Sequence, residues 1–391
     1  MTVPTHGAVL RQLDWWLVLV ATALSLVGLT FIHSATRYDP EFSGQHVRQA
    51  LFLSVSAGLG LLVILVPYTR FLRLAWLLYS GTAAALLLLP WFGTTINGAR
   101  RWYMLPGFAV QPAEFAKVAV IAALAAWLRF RTQPRWMDHV VVPTLITAVP
   151  ALLVMKQPDL SSSLVFWPIL LAMVYAGGAS LRQLLAFGVA GATVVVLGYL
   201  LVLHDYQLER IEVWRQHFAW TGGAPELDPG QRIALRDALR GPAYQPWQAL
   251  IAIGSGGVTG FGLGAGPQNS HDFLPYRNAD YLFAVVAEET GLLGAFALLG
   301  LQMALVLSLL RLAWRTRERF GRLLIVGVAG FLGAQSLMHV AVCSWLVPAT
   351  GLPLPFLSYG GSSTMCAVVA LALALNAGAR RLPVLGGDGY R

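Results

Sequence analysis

The sequence predicts an all-α integral membrane protein with ten transmembrane helices and a large extracytoplasmic loop between helices 7 and 8. Two observations on composition predict this class. Of the 391 residues, 57% are hydrophobic and only 12% are charged, against roughly 25% charged in an ordinary soluble domain. The third observation is that apolar runs near the ~20 residues needed to cross a bilayer recur along the chain. We therefore expect a single polytopic membrane domain, residues 1–391.

Ten apolar segments predict the ten spans. The first is longer than the core of a signal peptide and has no clear cleavage site, so we expect an uncleaved anchor. The fourth to the sixth are short for a span. The segments lie at about 15–35, 48–67, 72–92, 113–129, 139–155, 161–178, 182–203, 281–308, 321–348 and 360–378.

The distribution of basic residues predicts the orientation. With the N-terminus inside, fifteen arginines fall in short cytoplasmic segments, whereas five basic residues fall in short outer loops. The outer ones are Arg37, Arg48, Arg100, Arg101 and Lys156. Because basic residues concentrate on the cytoplasmic side, both termini are predicted to be cytoplasmic. Membrane orientation also explains the net charge of +9, so we expect no nucleic-acid partner.

The predicted outer loop, residues 204–280, is too rich in patterned apolar residues for a disordered segment. "LERIEVWRQHF" (208–218) and "QRIALRDALR" (231–240) both place apolar residues at helical spacing. We expect two short amphipathic helices. They lie either at the outer membrane interface or on neighbouring protein, and the sequence leaves both open.

Two pairs of charged residues fall inside predicted spans, where charge normally faces a cavity or a partner. Glu114 and Lys117 are three residues apart, so they share a helix face and can pair. Glu288 and Glu289 are adjacent and point about 100° apart. One of them could meet a cation such as Lys117 or Arg101, while the other joins a hydrogen-bond network. These four residues are expected to form a structural or coupling polar network.

Polar residues also gather in the predicted outer loops. "INGARRWYMLPG" (96–107) contains Asn97, Arg100, Arg101 and Trp102, and Lys156 follows in a second loop. Arginine suits phosphate oxygens because it binds them through paired hydrogen bonds.

Two glycine-rich segments accompany these residues. In "GSGGVTGFGLGAGPQNS" (254–270), backbone N–H groups could approach an anion closely. "PLPFLSYGGSS" (353–363) begins the last span, where irregular backbone is tolerated if it lines a cavity. Such an outer face suits an anionic substrate with a lipid portion. The residues alone leave open whether the protein is a transferase or a transporter.

Cysteine and histidine point to no cofactor. Cys343 and Cys366 both lie in apolar runs without disulfide or metal-ligand spacing, so we expect two small buried hydrophobic residues. His339, in the ninth span, is expected to make interhelical hydrogen bonds rather than carry protons.

Five stretches, taken in order, resemble the SEDS family of bacterial shape, elongation, division and sporulation proteins. They are "NGARRW…QPAEFAK", "KQPDLSSSLV", "YQPWQALIAIGSGGVTGFGLG", "FLPYRNADYLFAVVAEETGLLG" and "GLPLPFLSYGGSS". The resemblance covers nearly the whole chain. "KQPDL", "IAIGSGG" and "PLPFLSYGGSS" look more like the rod-shape elongation branch, RodA, than the division branch, FtsW.

The resemblance implies a peptidoglycan glycosyltransferase in the bacterial cytoplasmic membrane. Such enzymes polymerise lipid II on the outer face together with a class B penicillin-binding protein. The family's essential aspartate matches Asp280, which would act as a general base on the acceptor sugar hydroxyl. Arg100, Arg101 and Lys156 would offset charge on the leaving pyrophosphate, with Asn97 and Trp102 beside them. The sequence contains no ligand cluster, so a requirement for Mg²⁺ or Mn²⁺ is left open.

The chain departs from the family pattern just before Asp280. The family usually has a glutamate where Tyr276 stands and His-Thr at Asn278 and Ala279. The missing glutamate puts a two-carboxylate mechanism in doubt. Two other functions also remain open: a lipid II flippase, and a non-catalytic scaffold that would not need Asp280.

Overall fold

A computed structural model describes residues 6–39, 42–96, 99–157, 159–201, 205–221 and 237–380 of the chain. A short helix, α1 (His6–Arg11), opens the described part. Among the described residues, seven helical segments are long and apolar enough to cross a membrane. They are α2 (Trp15–Thr36), α3 (Gln45–Leu65), α4 (Tyr68–Phe92), Met137–Met155, α12 (Leu282–Arg315), α13 (Arg319–Cys343) and α14 (Gly361–Ala379). The fourth of these consists of a π-helical turn, Met137–Val141, followed by α6 (Val142–Met155).

Three further apolar helices complete the set that the sequence predicts. These are α5 (Pro112–Leu128), α7 (Leu160–Ala176) and α8 (Leu181–Leu201). A helix therefore lies at each of the predicted apolar segments. Two ends differ from the prediction. α12 runs on to Arg315, which places a basic residue in the last turn, where its charge is favourable. α13 stops at Cys343, five residues before Pro348, which cannot continue a helix.

The core of the bundle forms around α5. Its side chains are buried around almost the whole circumference, and it packs against α4, α7, α13 and α14. Pro112 begins the helix, where the missing N–H costs nothing. In contrast, α3 and α4 expose long apolar rows, such as Leu51 and Leu77. A helix that is apolar on every face, such as α5, is expected in a core. The exposed apolar rows of α3 and α4 suit contact with lipid.

A small antiparallel sheet between α4 and α5 departs from the all-α prediction. It consists of β1 (Thr94–Ile96), β2 (Ala99–Leu105) and β3 (Phe108–Val110), in that order. β2 and β3 are joined through Gly107, whose φ of 90° suits glycine. Because side chains alternate along a strand, Arg100 and Arg101 point to opposite faces of β2.

The large loop contains three described helices, α9 (Asp205–Thr221), α10 (Tyr244–Ser255) and α11 (Pro267–Ser270). The predicted stretch 208–218 lies within α9. Val213 and Trp214 of α9 pack against Trp345, and the Trp214 indole donates to the Trp345 carbonyl at 3.1 Å. This helix therefore packs on neighbouring protein, as one of the two alternatives expects. Most of the second stretch, 231–240, lies outside the described residues.

The glycine-rich segment approaches a helix backbone instead of an anion. α12 breaks at Gly291, where φ is 66° and ψ is −164°. The N–H groups of Phe261 and Gly262 donate to the carbonyls of Glu288 and Glu289, at 3.2 and 2.9 Å. A Cβ on Gly260 would overlap the backbone of Glu289. The expectation of an anion-binding loop was thus wrong for these N–H groups, because they complete the hydrogen bonds of a broken helix.

Candidate active site

Asp280 lies in a tight turn just before α12 begins. The carbonyl of Tyr276 accepts the N–H groups of both Ala279 and Asp280 at 3.0 Å. Tyr276 itself has a φ of 52°, a left-handed conformation that costs a residue with a side chain roughly 1–2 kcal/mol. The turn therefore fixes the backbone of Asp280 by local hydrogen bonds, at the cost of strain at Tyr276.

Long-range contacts hold this turn at three successive residues. Arg277 is buried and donates to the Ala35 carbonyl of α2 and to Asp272. The carbonyl of Asn278 accepts the Tyr359 N–H at 2.9 Å. The carbonyl of Ala279 accepts the Ser358 hydroxyl at 2.6 Å. The segment 353–363 therefore positions the Asp280 turn through its backbone and Ser358.

The carboxylate of Asp280 rests against a glycine. A Cβ built on Gly351 would lie 2.6 Å from Asp280 Oδ2, so a side chain there would displace the carboxylate. The carbonyl of Gly351 accepts the Ser161 hydroxyl at 3.2 Å, and the same hydroxyl donates to Asp159 Oδ1 at 3.1 Å. A chain of contacts thus joins Asp280, Gly351, Ser161 and Asp159.

Two opposing influences act on the Asp280 carboxyl. Burial, with a smaller contribution from the negative charge of Asp159, raises its pKa to about 6. The positive charges of Arg210 and Arg101 oppose this rise. The side chain is still partly accessible at the surface, and its carboxylate accepts no hydrogen bond from the residues that the structure describes. Asp280 is therefore a carboxylate of raised basicity with free lone pairs.

The structure separates the two arginines of β2. Arg101 donates to the Gln157 carbonyl at 2.9 Å and its charge acts on Asp280. Arg100 is exposed on the other face and donates to Thr95 and the Pro90 carbonyl, at 3.1 and 2.6 Å. Arg101 is thus brought to the Asp280 region, whereas Arg100 is held by its own hairpin.

The remaining predicted substrate residues are less tightly placed. Lys156 follows α6 as its C-cap residue, and its exposed side chain makes no hydrogen bond or ion pair with any described residue. Trp102 is partly buried in β2, opposite Thr94. Asn97 lies outside the described residues.

Glu114 and Lys117 form the ion pair that their spacing allows. Lys117 Nζ lies 2.7 Å from Glu114 Oε1 and 2.8 Å from Gln335 Oε1, and both charged side chains are buried. Gln335 in turn donates to the Pro353 carbonyl at 2.8 Å. This pair therefore supports the segment that holds the Asp280 turn.

Glu288 and Glu289 form a separate cluster, and neither meets Lys117 or Arg101 among their hydrogen bonds in the described chain. Glu288 accepts the N–H groups of Gln268 and Asn269 at 2.7 and 3.3 Å. Glu289 accepts the Ser34 hydroxyl at 2.6 Å and the Asn269 side chain at 2.8 Å. The expectation of an ion pair was wrong, because backbone and amide donors occupy these carboxylates.

His339 and the cysteines behave as expected. The His339 ring bonds the Leu352 carbonyl at 2.6 Å and accepts the Phe283 N–H at 3.4 Å. Cys343 and Cys366 are free and buried.

The described residues around Asp280 form no ready-made cage for a divalent cation. Within the described ranges, no group of three or more His, Cys, Asp or Glu residues could hold a metal ion. Asp159, the acidic neighbour of Asp280, already accepts Ser161, Ser162 and Gln111 with its two oxygens. We therefore assign no step to a metal.

Sequence reasoning missed Arg210 and gave Asp159 no role. Arg210 belongs to α9 and donates to the Ala349 carbonyl at 3.1 Å, close to Gly351. In the sequence it was one of several charged residues on an amphipathic helix. Asp159 carried one local signal, since an aspartate before "LSSS" is a typical helix N-cap. Tyr276, which stands where the family usually has a glutamate, supplies no carboxylate. Asp159 places a second carboxylate charge near Asp280 instead.

The fold and this site define a polytopic α-helical membrane protein with a carboxylate poised at one end of the bundle. The model of the FtsW/RodA/SpoVE family, described as "Cell cycle protein", matches residues 12–381. The chain therefore belongs to this family of integral membrane proteins, the SEDS proteins.

Similar proteins carry names from both branches of the family. A probable peptidoglycan glycosyltransferase FtsW of Trichlorobacter lovleyi is 32% identical, over 97% of each chain. The rod shape determining protein RodA of Thermus thermophilus has a crystal structure with a TM-score of 0.68. It is 28% identical, over 95% of this chain and 98% of that one. A structure described as the structural coordination of polymerization and crosslinking by a peptidoglycan synthase complex has a TM-score of 0.76. That chain is 30% identical, over 94% of this chain and 98% of its own length.

Proposed function

We propose that the protein is a peptidoglycan glycosyltransferase that polymerises lipid II into glycan strands. One observation carries the proposal: Asp280 is fixed by its backbone while its carboxylate has a raised pKa and accepts no hydrogen bond from the described residues. A partly accessible carboxylate with a perturbed pKa, held by its backbone and without a donor from the described residues, is a candidate functional group. The names of relatives in the family support the reaction class.

The reaction requires a general base and positively charged side chains near the leaving pyrophosphate. A sugar hydroxyl of the acceptor attacks the anomeric carbon of the donor, the bond to the lipid pyrophosphate breaks, and the hydroxyl proton passes to Asp280. With a pKa of about 6, Asp280 is mostly ionised at pH 7 and is a stronger base than an ordinary aspartate. Arg101 and Arg210 are the cations that reach this region, and they would offset charge on the pyrophosphate. Arg100, Trp102, Lys156 and Asn97 are proposed to bind substrate around them.

The topology is proposed from the charge distribution and the positions of the helices. Ten helices cross the membrane, both termini are cytoplasmic, and residues 204–280 form the extracytoplasmic loop. Asp280 then opens the eighth span at the outer face, where a lipid-borne sugar can reach it. Buried Glu114 and Lys117, and the Glu288–Glu289 cluster, serve as structural or coupling groups.

We propose a class B penicillin-binding protein as the partner. The support is the similarity to a chain from a peptidoglycan synthase complex. We also propose cell-wall elongation as the role, from the motif wording, although relatives of both branch names are found. Depletion in rod-shaped host cells tests the role: rounding supports elongation, and filamentation assigns the protein to division.

The activity test uses the purified protein with its cognate transpeptidase and lipid II in detergent, scored for glycan polymer. Asp280→Ala should abolish polymer and retain the partner complex on size exclusion. The matched control is Asp237→Ala, since Asp237 lies in the same predicted loop with an exposed side chain that makes no hydrogen bond or ion pair with the described residues. Full polymerisation by Asp280→Ala would reject Asp280 as the base. Absence of polymer with the wild-type complex, together with lipid II movement in liposomes, would favour a flippase.

A further inference from the structure

A second site lies away from Asp280, on the flank of the bundle. An apolar groove of about 540 Å³ runs between α2 and α3, with α14 at its base. Its lining on α2 extends from Trp15 to Leu29. Fourteen rises of 1.5 Å give a length of about 21 Å, so the groove is as long as an extended alkyl chain.

The wall of the groove presents almost no free polar group. Its three hydroxyl side chains are Thr22, Ser25 and Ser54. Each donates to a carbonyl four residues earlier in its own helix, at 2.9, 2.9 and 2.8 Å. A sugar or a peptide would therefore lose its hydrogen bonds to water without replacement. The groove suits a hydrocarbon chain.

One end of the groove is bridged by histidines. His33 and His46 each lie one turn beyond the lining residues Leu29 and Ala50. Their ring centroids are 4.5 Å apart, and the two Nδ1 atoms are 3.4 Å apart. The pair joins α2 to α3 directly above the groove. A chain whose headgroup lies at this end would have to pass the histidine bridge.

The other end carries an interfacial tryptophan and an open cation. Trp15 lines the groove there and is 59% exposed, as expected for a residue at a membrane interface. Arg11 is exposed beside the lining residues Leu10 and Leu13, and its guanidinium makes no hydrogen bond or ion pair with the described residues. The nearby acid, Asp14, is already bound by Arg311 at 3.1 Å. This end therefore offers positive charge.

We propose that the groove binds one acyl chain of an anionic phospholipid, whose phosphate lies on Arg11. The inference rests on the proposed topology, under which this end faces the cytoplasmic leaflet. Charge complementarity at Arg11 and the histidine bridge at the opposite end select this occupant. A lipid-linked substrate with its pyrophosphate at the outer face would enter from the bridged end.

Bound lipid would act on the active-site end through α2. The last turn of this helix holds both the Asp280 turn and the glutamate cluster, through the Ala35 carbonyl and the Ser34 hydroxyl. An acyl chain between α2 and α3 fills the space below that turn. Phosphatidylglycerol should therefore raise the melting temperature, since a ligand of the folded state stabilises it by mass action.

The test is native mass spectrometry of the full chain titrated with phosphatidylglycerol or phosphatidylcholine. Ala57 lines the groove, so Ala57→Trp should lose the bound lipid. Val55→Trp, on the opposite face of α3, should retain it. Arg11→Gln should weaken phosphatidylglycerol binding about 5-fold, as ~1 kcal/mol per basic residue near an anionic lipid implies. Arg73→Gln, an exposed arginine on α4, should leave binding unchanged.

Three results would overturn the proposal. They are unchanged lipid binding by a folded Ala57→Trp, equal wild-type affinity for the two phospholipids, and displacement of phosphatidylglycerol by undecaprenyl phosphate. If Ala57→Trp does not fold, Arg11→Gln decides alone: unchanged binding rejects the site. Asp280→Asn should retain lipid binding, because Asp280 lies away from the groove. The lipid test can therefore succeed or fail independently of the glycosyltransferase assay.

Discussion

Two groups of carboxylates in one stretch of chain are used in opposite ways. Glu288 and Glu289 lie inside α12, and their oxygens accept backbone, amide and hydroxyl donors. Asp280, eight residues earlier, accepts none from the described chain, although its backbone is fixed on both sides. A carboxylate whose oxygens accept hydrogen bonds contributes to stability, whereas one that accepts none, on a fixed backbone, is available for chemistry. This difference separates structural charge from the candidate catalytic charge.

The largest expected effect on stability is at the buried ion pair. Lys117→Met removes the cation and leaves the Glu114 charge in a buried site, which should destabilise the protein by about 3–5 kcal/mol. Thermal unfolding in detergent measures this loss. The double variant Glu114→Gln with Lys117→Met should recover much of it. Equal stability of the single variant and the wild type would show that the pair is not structural.

The second prediction compares the two kinds of carboxylate directly. Glu289→Gln should lower the free energy of unfolding by about 1–3 kcal/mol, because a donor from Ser34 or Asn269 loses its acceptor. Asp280→Asn should raise stability at neutral pH. Its folded pKa lies above the ordinary value, so the stability it contributes at low pH is lost as pH rises through about 6.

Melting curves of both variants at pH 7.5 check the opposite signs. A loss of stability in Asp280→Asn as large as that in Glu289→Gln would remove the distinction between the two groups.

The sequence predicts the parts of this comparison that depend on neighbouring residues, but not those that depend on contacts between distant segments. Hydropathy located the long apolar helices, and helical spacing paired Glu114 with Lys117, because both signals are local. Asp280 followed from family resemblance. The approach of Asp159, Arg101 and Arg210 to Asp280 depends on contacts between distant segments, which no local pattern encodes. The glycine-rich segment was misread because close approach to a helix backbone and to an anion need the same residues.

A smaller effect is expected at Gly351, which touches the Asp280 carboxylate without supplying a charge. Gly351→Ala places a methyl group 2.6 Å from Oδ2 and should lower the polymerisation rate on the order of 10-fold, since small misplacements of catalytic groups are costly. Gly300→Ala is the matched control, because a Cβ there meets no neighbouring atom. An unchanged rate in Gly351→Ala would mean that the position of the carboxylate is not critical.

The most direct measurement of the central claim is the pH dependence of glycan polymerisation by the wild-type complex and by Asp159→Asn. If Asp280 is the base, the rate should fall below an apparent pKa of about 6, where the carboxylate is protonated. Asparagine at 159 can still cap α7 but carries no charge, so it should move this limb to lower pH. A wild-type rate that does not change between pH 5 and 8, or a limb that Asp159→Asn leaves in place, would contradict the account.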